Sequence, residues 1–130
     1  MVKGIVTGLG LFVMVTLAVS GLAVAHEEPG GAESGTVSLT GEVVDIVCYL
    51  SHGSEALGKG HADCAKKCIT GGLPVAIKVG DQLYLASMAD HTAANQTLAG
   101  LAGEQVTVEG KVLERDGQHL VVVSHVEKAK

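Results

Sequence analysis

Residues 106–127 read VTVEGKVLERDGQHLVVVSHVE. Two runs rich in Val and Leu flank Asp116-Gly117. That dipeptide favours the tight turn whose twist matches paired antiparallel strands, because both turn residues must take positive φ. The stretch therefore reads as a β-hairpin, with strands over Val106–Leu113 and Leu120–Val126. It makes the chain mainly β.

Working back from this hairpin, residues 92–101 (TAANQTLAGL) predict a short helix that stops near Gly103. Before it lie two further strands, Val75–Val79 and Gln82–Met88, joined tightly through Gly80-Asp81. Pro74 bars a helix interior just ahead of them. Residues 61–69 (HADCAKKCI) carry Ala and Lys without Pro or Gly and end at Gly71-Gly72, which predicts a second short helix. Residues 51–60 read as loop. Residues 36–50 (TVSLTGEVVDIVCYL) alternate and then crowd β-branched residues over Val43–Val47, which predicts one long strand, bent or bulged at Gly41.

The resulting order is strand, helical insertion, strand, strand, helix, strand, strand. This plan resembles the OB-fold, a small five-stranded Greek-key barrel. The final hairpin is similar to the closing hairpin of small exported bacterial domains of that kind. The resemblance implies a barrel over residues 36–127 and assigns no activity. A small β-sandwich is the alternative arrangement.

Residues 1–25 read as a secretory signal. Lys3 is followed by an uncharged apolar stretch from Ile5 to Ala25, closing on Ala23-Val24-Ala25. Cleavage there leaves His26 as the new N-terminus and places the protein in the periplasm or outside the cell. A retained anchor is the alternative, because about 20 apolar residues can cross a bilayer. Against it, Gly8, Gly10, Ser20 and Gly21 dilute the stretch, and no basic stop-transfer cluster follows. After cleavage no stable membrane insertion is expected. Residues 26–35 (HEEPGGAESG) read as a flexible leader, and residues 36–130 as a single domain.

Of the 9 basic residues only Lys3 lies in the signal, while all 14 acidic residues lie beyond it, so the remainder is more acidic than the full chain's net −5. An acidic surface repels phosphate backbones, and nucleic acid is not an expected partner. The one Phe also lies in the signal, so the core must come from Val, Leu, Ile and Ala.

The chemistry concentrates in Cys48-Tyr49-Leu50 and in His61-x-x-Cys64-x-x-x-Cys68. Offsets of three and four place His61, Cys64 and Cys68 on one helix face. With Cys48 returning from the end of the first strand, they make a Cys3His set, a tetrahedral zinc composition; thiolates also suit Cu(I). Further candidate ligands are His52 in the loop, His91 after the third strand, and His26, whose α-amine and imidazole together can chelate copper. The expected partner is a metal ion, and the expected role is non-catalytic.

Two rival readings use the same residues. In one, Cys48 pairs with Cys64 or Cys68 in a disulfide that staples a metal-free interaction or scaffold domain, as small exported domains often require. In the other, the cysteines perform thiol redox chemistry, although no C-x-x-C is present. The chain has no G-x-S-x-G, phosphate-binding loop or H-E-x-x-H to mark another enzyme class.

Overall fold

The computed structural model describes residues 33–130. The signal stretch and His26 lie outside the described residues. Strand β1 (Glu33–Asp45) is followed by helix α1 (Ile46–His52), a 3-10 turn (Gly53–Ala56) and helix α2 (Ala62–Thr70). Then come β2 (Val75–Val79), β3 (Gln82–Met88), the short helix α3 (Asn95–Leu98) with a 3-10 turn (Ala99–Leu101), β4 (Gln105–Arg115) and β5 (Gln118–Lys128).

The five strands close into a barrel in the order β1-β2-β3-β5-β4. Four of the seams are antiparallel, and β3 meets β5 in parallel to complete the circle. Closure removes free sheet edges. The protein is thus mainly β, with a helical insertion after the first strand and a short helix between the third and fourth, as the element order predicts. Closure also decides against the sandwich.

Strand β1 is long because it serves two neighbours. Its Thr36–Glu42 portion pairs with Lys111–Gln105, and Glu42–Asp45 pairs with Lys78–Val75. Gly41 sits at the handover. A Cβ there would run into the backbone of Lys78 and stand 2.8 Å from both its carbonyl carbon and a methyl of Val79. Glycine is required by close approach. At the far hairpin, Asp116 and Gly117 take φ of 51° and 75°, the doubly positive turn that the dipeptide favours.

Alternate residues of the strands fill the interior: Val43, Ile77, Val106, Val108, Val121 and Val123 are fully buried. Ala65 and Ile69 of α2 and Leu98 of α3 join the same core. Ala65 and Ile69 are one helical turn apart, so α2 commits that stripe to the barrel. Cys64 and Cys68 form the next stripe around the helix, at the margin between core and solvent.

Several local features differ from the sequence expectation, among them a helix that begins at Asn95 rather than Thr92 and a 3-10 turn over Gly53–Ala56 in the expected loop. Strand β1 starts at Glu33 rather than Thr36. It ends at Asp45, and residues 46–52 turn helical where the last part of that strand, to Leu50, and the start of the loop were expected. A register shift between Glu109 and Gly110 in the β4–β5 pairing places an extra residue in β5 and changes which side chains face inward beyond it.

Candidate metal centre

Asp45 creates the first half of the site. At the end of β1 it is 2% exposed. Its carboxylate accepts from the backbone N–H of Val47 at 3.0 Å and of Cys48 at 3.2 Å. These are the N–H groups that a starting helix leaves unpaired, so the Asp45 side chain caps α1. The backbone N–H of Ile46 donates to Pro74 O at 3.2 Å, tying the helix start to the entry of β2. The first turn of α1 carries Cys48. Gly53, at φ 60°, ends the helix and donates to Tyr49 O.

The second half comes from α2. Cys64 lies near its start and Cys68 in its last turn. The helix end is fixed by Gly71 N–H donating to Lys67 O, Gly72 N–H to Ile69 O and Leu73 N–H to Cys68 O, at 2.9–3.0 Å. Gly72 holds φ 98°, a conformation that suits glycine at a helix exit. The Asn95 side chain of α3 then clamps this exit, donating to both Ile69 O and Leu73 O at 2.7 Å. Cys68 is therefore positioned by a residue 27 places further along the chain.

These two helices bring the sulfurs of Cys48, Cys64 and Cys68 within 4.8 Å of one another. Cys48 Sγ and Cys68 Sγ are 4.0 Å apart. All three cysteines are free thiols, with Cys64 exposed and the other two partly buried. The Cys48 thiol is pushed up to about 12, first by its hydrogen bond to the Asp45 carboxylate, then by burial and by its Cys68 neighbour. The Cys68 thiol is also raised, chiefly by burial. Both sulfurs thus keep their protons at neutral pH unless something takes their place. A thiophilic cation can do so, since the thiolate is the form that binds metal.

The histidines behave differently. His61 precedes α2, makes no side-chain capping bond, and is not among the groups whose ligand atoms converge. Its Nε2 is nonetheless buried without a hydrogen-bond partner, a costly state for a polar atom. His52 is the last residue of α1 and is exposed; His91 is exposed too, in the turn after β3 with φ 63°. Neither belongs to the converging group.

Sequence reasoning placed Cys48 at a strand end and passed over Asp45 and Asn95. The signal for Asp45 was present: an Asp immediately before an apolar run is a helix start. Nothing local marks Asn95, because its partners lie 22 and 26 residues away.

No protein-family model, curated protein or solved structure matches the chain.

Proposed function

We propose that this is an exported, non-catalytic metal-binding protein that holds one thiophilic ion, Zn(II) or Cu(I), between Cys48, Cys64 and Cys68. The observation that carries the reading is the convergence of three free thiols from two helices within 4.8 Å. Metal–sulfur bonds of about 2.3 Å place two sulfurs about 3.8 Å apart around a tetrahedral ion and about 4.0 Å apart around a trigonal one. The Cys48–Cys68 separation of 4.0 Å fits this scale without movement of either helix.

The two ions make different demands. Cu(I) is satisfied by soft thiolates, and the sulfurs supply three. Zinc takes four ligands in a structural site, and His61 is the nitrogen we assign to the fourth place, reached by rotating its side chain. None of the three cysteines belongs to the buried aliphatic core of the barrel. The exposed Cys64 leaves one side of the cluster open to solvent. Both features favour a carried or exchanging ion over one that holds the fold together.

The test is an anaerobic titration of the reduced protein with each ion, read as bound metal per chain and as thiols protected from alkylation. One ion per chain and three protected thiols are expected. His61→Ala should leave Cu(I) binding unchanged and weaken Zn(II) binding. No bound ion, with three thiols still reactive, ends the proposal. Export is checked on the same material: the secreted chain should begin at His26, and a chain beginning at Met1 contradicts the signal reading.

A further inference from the structure

The same three sulfurs carry a second chemistry that does not depend on an ion. We propose that Cys48 and Cys68 form a reversible disulfide, entered through Cys64, when the protein meets an organic disulfide such as oxidised glutathione. Geometry selects the pair. Cys48 Sγ and Cys68 Sγ are already in contact at 4.0 Å. Cys64 and Cys68 lie one turn apart in the continuous helix α2. Such neighbours hold their Cβ atoms about 5–6 Å apart, whereas a disulfide wants about 3.5–4.5 Å. A Cys64–Cys68 bond would therefore unwind the helix that Asn95 clamps.

Exposure selects the entry point. Cys64 is exposed, while Cys48 and Cys68 are partly covered, so an incoming disulfide reaches Cys64 first. The Cys64 thiolate attacks RSSR, forms a Cys64–S–S–R mixed disulfide and expels RS⁻, which takes up a proton. Cys48 next attacks Cys64 Sγ, gives up its proton and expels the second RS⁻. Cys68 then attacks Cys48 Sγ, gives up its own proton, and returns Cys64 to a free thiol. In total the protein loses two electrons and two protons, and RSSR becomes two RSH. Sulfur–sulfur distances within 4.8 Å let each transfer occur inside the cluster.

This closes the ion site, because two of its three sulfurs become bonded to each other. The cluster would hold an ion when reduced and release it when oxidised.

The sequence offers an unusually direct readout. Lys59, Lys66 and Lys67 separate the cysteines, so trypsin puts Cys48, Cys64 and Cys68 on three different peptides, the latter two being Gly60–Lys66 and Cys68–Lys78. Reduced protein, kept metal-free with chelator, is treated with oxidised glutathione, trapped by alkylation and digested. The expected product joins the Cys48 peptide to Cys68–Lys78, with Gly60–Lys66 alkylated. Cys64→Ser should reach the same product at least about tenfold more slowly, since the exposed nucleophile is gone. A final disulfide that includes Cys64, a persistent mixed disulfide alone, or an unchanged rate in Cys64→Ser overturns the proposal. Because chelator is present throughout, this result is separate from the titration that tests metal binding.

Discussion

Replacing Asp45 separates two tasks that one carboxylate performs. In Asp45→Ala both N–H partners at the start of α1 are lost. Loss of a helix cap costs about 1 kcal/mol, with a range of roughly 0.5–2. The second, charge-assisted bond at a buried residue brings the expected total to about 2 kcal/mol. For a domain of this size each kcal/mol lowers the melting temperature by about 4–8 °C, so a fall of roughly 10 °C is expected. Asp45→Asn keeps one capping oxygen but turns its NH2 toward the second N–H, so it should lose about 1 kcal/mol, less than Asp45→Ala. Yet it removes the carboxylate whose hydrogen bond to Cys48 is the largest reason that its thiol is pushed up to about 12, and with it the smaller effect of the negative charge. The Cys48 midpoint should then fall toward the ordinary thiol value. Thermal unfolding measures the first effect, and alkylation across pH, resolved on the three tryptic peptides, measures the second. An Asp45→Asn protein whose Cys48 alkylates along the parent's pH profile would falsify the assignment of the raised thiol to the carboxylate. An Asp45→Ala protein that melts with the parent would sink the capping argument.

Other outcomes follow from the same geometry. Gly41→Ala should destabilise the barrel by about 1–3 kcal/mol or more, because its Cβ meets the backbone of Lys78 rather than a movable side chain; denaturant unfolding reads this, and an unchanged midpoint would contradict it. Metal affinity should climb with pH over the neutral range, by up to about tenfold per unit for each thiol proton displaced. Titrations at several pH values check it, and a flat profile would mean that the raised thiols are not the ligands. The metal-free protein has the opposite dependence. A thiol raised by folding stabilises the folded state fully below its unfolded value, near 9, and that contribution is lost as pH rises toward about 12. Unfolding midpoints should therefore decline on the alkaline side of pH 9.

Much of the architecture was legible because it is local. The limits of β2 and β3 match the residues read as strands, and the Asp116-Gly117 turn has the backbone its chemistry demands. The run Val43–Val47 misled because β-branched residues look alike in a strand and in a well-capped short helix; Asp45, in the middle of that run, makes the difference. Barrel closure was not readable from any segment. The parallel β3–β5 seam joins residues such as Leu85 and Leu120, and such pairing leaves no local periodicity. The cysteine stripe on α2 was visible from spacing alone. The meeting of that stripe with Cys48 depends on the turn at Asp45 and on the Asn95 clamp, both of them contacts with distant backbone. His61 shares the spacing but not the meeting place, although its carbonyl accepts the first helical bond from Ala65; its ring nitrogen is buried away from any polar partner instead.

Cys48 and Cys68 stand at the two necks of the insertion between β1 and β2, 20 positions apart. Joined, they would turn that insertion into a covalent ring and leave every barrel strand outside it. A ring of this length restricts the unfolded chain by about 3 kcal/mol in the loop-entropy model. Oxidation would thus act as a latch that hardens the molecule while emptying its hands, and the form best able to resist unfolding would be the one that carries nothing.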